Sequence, residues 1–181
     1  MPKTRYFTVA MPAPAPTSDP KTSFVLDVPR FQAAEALRDD RILYFQSATE
    51  LNYYEYHRWS AAPATLMSEL VANRLRGTGA FSDVRLFPRT RPGDYVLRGR
   101  LTDFEELDDE PAGHVRVGLA LELVRSRDHK TVWSDTRRLT GEIQGKGVEG
   151  VVDALNSSAS RLLDQILPGL VAQVERDSKQ H

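Results

Sequence analysis

The sequence predicts an α+β fold: a mixed, mostly antiparallel sheet packed against two main helices in one domain. Three observations lead there. Val115, Val117, Leu119, Leu121 and Leu123 occupy alternate positions, the period of a strand with one face on a core. Val148, Val151, Val152, Leu155, Ala159, Leu162, Leu163, Ile166, Leu167, Leu170 and Val171 recur as a single helical stripe. Leu66, Met67, Leu70, Val71 and Leu75 form a second, shorter one. A chain of 181 residues can bury one substantial core, and no repeat or boundary divides it, so residues 1–181 read as a single domain.

Taken in order, Arg5 to Met11 alternates as a first strand, with Tyr6, Thr8 and Ala10 on one face. The segment 12–22 is rich in proline, which removes donors and fixes φ, so it reads as a stiff surface loop. Phe24, Leu26 and Val28 mark a second strand, which Pro29 closes or places at an edge. Ala33 to Asp40 is one helical turn or a loop. Ile42–Gln46 and Leu51–Tyr56 form a hairpin around Ser47 to Glu50. Pro63 opens the first helix, a position where its missing N–H needs no partner, and Gly77 and Gly79 supply the stop.

Phe81, Val84, Leu86 and Phe87 suggest another strand, ended by Pro88 and a turn through Gly93. Tyr95, Leu97 and Leu101 then share one parity against Arg98, Arg100 and Thr102. With Val115–Leu123 and the return strand Thr131–Thr140, this gives an antiparallel meander. In the final helix, Pro168 with Gly169 should kink or end the stripe, and the polar residues 177–181 should fray. Two stripes and one apolar sheet face fit a domain of two or three layers.

Composition narrows function. The net charge is −1 and no basic block stands out, so nothing favours nucleic acid as a partner. The absence of cysteine rules out disulfides, zinc–thiolate sites and a cysteine nucleophile. No apolar run reaches the length of a membrane span. The N-terminus lacks the charged start and apolar stretch of a signal peptide, which by itself reads as cytoplasmic.

No catalytic motif is complete, and no cofactor is expected. His57 beside Arg58 and near Glu55 is the obvious acid–base candidate, but no nucleophile motif accompanies it, and a strand-end histidine is the better reading. None of the four histidines is spaced from another like a metal ligand. The acidic run from Asp103 to Glu110 lacks the ligand and glycine pattern of a calcium loop and reads as a solvated hairpin loop. Gly141 to Gly147 fits neither the Walker A spacing nor the dinucleotide fingerprint. Ser157, Ser158 and Ser160 lack a nucleophile elbow.

The most informative stretch is Tyr53-Tyr54-Glu55-Tyr56-His57-Arg58-Trp59, followed by Ser60-Ala61-Ala62-Pro63. It reads as an aromatic strand turning into a helix. Trp59 is either a core anchor or an aromatic facing lipid or a partner. The three tyrosines occupy both parities, so at least one ring should point outward, as suits an interface.

This corner resembles that of the ABC-type transport auxiliary lipoproteins, the PqiC-like family. The resemblance extends through Arg5-Tyr6-Phe7-Thr8-Val9, Phe24-Val25-Leu26-Asp27-Val28-Pro29, the long strand Asp94 to Glu105, and the closing meander and helix. It implies a non-catalytic adaptor at the periplasmic face of the outer membrane. The implied partners are an ABC transporter and a mammalian-cell-entry (MCE) domain protein that move lipids or other hydrophobic molecules. The expected contact surface is Tyr53, Tyr54, Tyr56, His57 and Arg58, with Trp59 fixing the corner, and homo-oligomers are expected. The chain departs from that family in having no lipobox and no cysteine, so anchoring is implied for a longer precursor acylated just before Thr4. A binder of a hydrophobic small molecule is the second reading, and a hydrolase the third.

Overall fold

The computed structural model describes residues 2–12, 19–88, 91–108 and 113–180. Among these described residues nine strands form one mixed sheet, and two helices share a single core with it. The strands are β1 (Arg5–Phe7), β2 (Val25–Val28), β3 (Gln32–Ala33), β4 (Arg41–Phe45), β5 (Leu51–Trp59), β6 (Asp83–Leu86), β7 (Tyr95–Leu107), β8 (His114–Arg125) and β9 (Lys130–Glu142). The helices are α1 (Pro63–Thr78) and α2 (Gly147–Ser178).

The organising strand is β7. One edge pairs antiparallel with β8 along its whole length, and β8 pairs in turn with β9. The other edge is shared by three shorter strands, all parallel: β2 at Tyr95–Val96, β3 at Arg100–Leu101 and β4 at Glu105–Leu107. Beyond β4 lie β5 and β1; beyond β2 lies β6. Most paired residues are therefore antiparallel, although five of the eight strand pairings are parallel.

The strict alternation of β8 does what the sequence predicts. Val115, Val117, Leu119, Leu121 and Leu123 are all buried, under a helix stripe in which Leu155, Ala159, Ile166 and Leu170 are inaccessible. α2 lies over β8 and β9, and α1 over β6 and β7. Phe31 lies between α1 and the sheet, its backbone N–H bonded to Ser68 Oγ and its ring pressed against Gly99, where a Cβ would collide with it. The opposite face of β7 and β8 carries Arg98, Arg100, Ala120 and Glu122, none of them buried.

Several elements differ from the sequence reading. The first strand stops at Phe7; Ala10 N–H then bonds the Asn156 amide of α2, so a helix side chain replaces strand pairing. Pro29 closes β2 and does not place it at an edge, since β2 lies between β7 and β6. Within Ala33 to Asp40 the expected single helical turn is present, a 3-10 turn at Glu35–Leu37. Gly77 is helical, and Gly79, at φ 64°, is the residue that ends α1. Of the proline-rich loop 12–22, residues 13–18 lie outside the described residues, as do 89–90 and 109–112 of two expected turns.

α2 does not end at Pro168. That proline is exposed, so the carbonyl of Asp164 loses its helical donor on the water side, where solvent replaces it. Leu167, Leu170 and Val174 are buried on the other side and carry the helix onward. Of the tail expected to fray, Asp177 and Ser178 still belong to α2, and His181 lies outside the described residues. Asp177 is buried, and its carboxylate accepts hydrogen bonds from Tyr95 Oη at 2.6 Å and Arg125 Nη1 at 3.3 Å.

Candidate functional site

The aromatic strand β5 is joined to β4 on one side and to β1 on the other. Its ladder with β4 is irregular. Leu43 faces Tyr53 and Arg41 faces Arg58, so five residue steps on β5 span two on β4. A bulge of this kind re-aims side chains. It explains why burial does not alternate here: Tyr53 and Tyr54 are both half-buried, and Glu55 and Tyr56 are both exposed.

Each aromatic ring then has a distinct role. Tyr53 donates its hydroxyl to the Ala36 carbonyl at 2.9 Å, and the Arg41 guanidinium stacks over its ring at 4.4 Å. Tyr54 donates to Glu106 Oε2 at 2.6 Å and packs on Tyr44, ring centres 5.0 Å apart. Burial, then the bond to Glu106, pushes the Tyr54 hydroxyl above its ordinary value; burial also raises Glu106, against the pull of that same bond. His57 is held between the rings of Phe7 and Tyr54, at 6.1 and 5.8 Å. Arg58 pairs with Asp40, while Arg41 holds Asp39 in a hydrogen-bonded pair that lowers its carboxyl to about 2.

Trp59 is 1% exposed and packs on Phe104, with ring centres 5.1 Å apart. It supports the corner from beneath, as its core-anchor reading expects, and its ring is not at the surface. Tyr53 and Tyr54 are likewise tied down through their hydroxyls, which leaves Tyr56 as the outward ring of the three. The sequence reading missed Tyr6. It lies opposite Arg58 in the β1–β5 register and is 66% exposed, more than any other large apolar side chain among the described residues. The signal was its alternation with Phe7, although alternation alone does not say which face is covered.

The site therefore offers two exposed tyrosines and a paired arginine on a rigid, hydrogen-bonded wing. Among the described residues no three His, Asp or Glu side chains gather as a metal site. No helix among them is long and apolar enough to cross a membrane.

The model of the ABC-type transport auxiliary lipoprotein component family matches residues 7–167, from β1 well into α2. The chain belongs to that family. The fold is shared by a Xanthomonas campestris protein of known crystal structure, at 18% identity and TM-score 0.84, covering 97% of this chain and 99% of that one. It also resembles the subunit of a PelC dodecamer from Paraburkholderia phytofirmans, at 18% identity and TM-score 0.51, over 83% and 91% of the two chains. A hypothetical protein of Chlamydia trachomatis matches at 10% identity and TM-score 0.51, over 83% and 97%. Among curated proteins, none matches this chain.

Proposed function

We propose that this protein is a non-catalytic adaptor of an envelope transport system for lipids or other hydrophobic molecules. It docks to an MCE-domain protein or to the ABC transporter, and it sits at the periplasmic face of the outer membrane through an acylated cysteine of its precursor. The observation that carries this reading is the wing formed by β1 and β5. Tyr6 and Tyr56 are exposed there, while their neighbours are fixed by hydroxyl bonds and ion pairs. Rigid aromatic rings beside an arginine are the composition of interface centres.

Membership of a transport auxiliary family supports the adaptor over the enzyme, as does a His57 ring held between two aromatics. The hydrophobic-binder reading is disfavoured because the space between sheet and helices is filled by one contiguous cluster of buried side chains. Likeness to the subunit of a dodecamer supports self-association as well.

The test is binding of the purified MCE-domain protein and transporter from the same envelope system. The double variant Tyr6→Ala, Tyr56→Ala should weaken one of these complexes by about tenfold or more with an unchanged melting temperature. Light scattering on the wild-type chain should show concentration-dependent oligomers. Undiminished binding by the variant would move the interface elsewhere, and no binding to either partner would reject the adaptor.

A further inference from the structure

Most arginines in this molecule are committed. Arg58 holds Asp40, Arg85 holds Asp27, Arg116 holds Asp103 and Glu105, and Arg125 holds Asp128. Among the described residues, the side chains of four make no hydrogen bond or ion pair: Arg30, Arg91, Arg98 and Arg100; of Arg91 only the carbonyl is engaged, by Arg85. Three of these four line the same groove, a cavity of about 630 Å³ on the sheet face opposite the helices.

The groove is built by the strands. Arg98 and Arg100 project from β7 on one parity, next to Glu122 and Ala120 of β8. Gln32 of β3 is in register with Arg100, and Arg30 precedes it, its guanidinium stacked over the Phe87 ring at 4.7 Å. Thr131, Ser134 and Thr136 of β9 add hydroxyls to the far wall. Among the described residues, Glu122 is the single carboxylate in the lining, and it accepts a hydrogen bond from Thr131 instead of pairing with the Arg98 opposite it. Three guanidinium groups against one carboxylate leave the groove with two uncompensated positive charges.

Like charges gathered on one pleated surface repel and cost stability. Most of the other described arginines meet an acid, and among the described residues these three meet none. We infer that the groove is a binding site for a phosphate-bearing anion. Guanidinium forks match tetrahedral phosphate oxygens, hydroxyls and an amide complete the donor set, and the volume admits a phosphate with a glycerol or sugar attached. Inorganic phosphate and a phospholipid headgroup share this chemistry. The inference goes beyond the adaptor reading and stands or falls separately from it, because the groove does not include Tyr6 or Tyr56.

The experiment is calorimetric titration of the full chain at low salt with two probes: inorganic phosphate and micelle-free dihexanoyl phosphatidylglycerol. Saturable binding of at least one is expected, weakened about tenfold or more in Arg98→Gln, Arg100→Gln. The variant Arg91→Gln removes the same charge outside the groove and should bind as the wild type does. Arg98→Lys, Arg100→Lys should fall between, since it keeps charge and loses the fork. Tighter binding of the lipid points to a headgroup and equal binding to free phosphate; both support the site. Absence of saturable binding by either probe overturns it. So does an equal loss in Arg91→Gln.

Discussion

The two ends of β7 present opposite solutions to charge on the same sheet face. At the Glu105 end, Asp103 and Glu105 are buried; Glu105 accepts from Arg116 Nε at 2.8 Å, and Asp103 forms an ion pair with the same nitrogen at 3.1 Å. Arg138 from β9 reaches Asp103 at 3.0 Å. At the Arg98 end, guanidinium groups stand exposed with no hydrogen-bond or ion-pair partner among the described residues. A bulge divides the two. Leu101 pairs with Leu119 but Asp103 with Gly118, so Thr102 is the extra residue and the parity of the strand flips. Gly118 is required there, since a Cβ would occupy the space of the Asp103 carboxylate and the Thr102 hydroxyl. The lesson is that charge alone does not identify a site. Charges that satisfy one another support structure, and charges left unsatisfied at a cost point to a ligand.

The largest expected effect breaks the satisfied end. Arg116→Met leaves two buried carboxylates short of their shared partner and should cost about 3 kcal/mol in urea denaturation. The matching change at the other end, Arg98→Met, should stay within about 0.5 kcal/mol of wild type. If the two variants cost the same, the distinction between the ends fails.

A smaller effect is expected where a neutral donor supports a buried acid. Tyr95→Phe removes the hydroxyl bond to Asp177 but leaves Arg125 in place, so about 1 kcal/mol should be lost. Hydrogen exchange at the last turn of α2 should rise in the same variant.

Dependence on pH should separate buried from bridged carboxylates by sign. Glu105 is raised, first by burial, with the bonds from Arg116 and the Phe104 N–H pulling the other way. Its folded form holds a proton more tightly than the unfolded form does. Its contribution is therefore most favourable below 4.5 and declines as pH climbs through the raised value. Asp39, lowered to about 2 by the Arg41 bond, behaves oppositely: its contribution is complete above 3.8 and is lost as pH falls toward about 2. Carboxyl-carbon NMR should resolve both, and Arg41→Gln should return Asp39 toward 3.8. The smallest effect is at the proposed contact surface, where Tyr56→Ala should shift the melting temperature by no more than about a degree, because its exposed ring has little packing to lose.

Local pattern made much of the fold legible. The alternation in β8, the stripes of α1 and α2, and the β4–β5 hairpin all follow from spacing that the sequence displays. What it does not display is the second edge of β7. Which of three short strands pairs at Tyr95, Arg100 or Glu105 depends on contacts far apart in the chain. The bulges at Thr102 and beyond Tyr53 are equally silent, because each depends on a partner strand being shorter. The site was legible to the same limit. The aromatic strand stood out, but the burial of Trp59 and the hydroxyl partners of Tyr53 and Tyr54 belong to Phe104, Ala36 and Glu106 on other elements. Arg98 and Arg100 were visible as an alternating pair; the absence of an acid to neutralise them is a tertiary fact.

The crowded edge of β7 also fixes an order of assembly. Leu26 must find Tyr95, Gln32 must find Arg100 and Leu43 must find Glu105, all parallel and all with the earlier partner waiting for the later one. Pairings that distant pay loop-closure entropy before any contact rewards it. The meander β7–β8–β9 needs only short turns, so loop-closure entropy favours its forming early as the template for the N-terminal strands. During synthesis the first half of the chain therefore emerges with its central strand still unmade; β4 can pair with β5 and β2 with β6, but the two pairs have nothing to join them until Tyr95–Leu107 has followed.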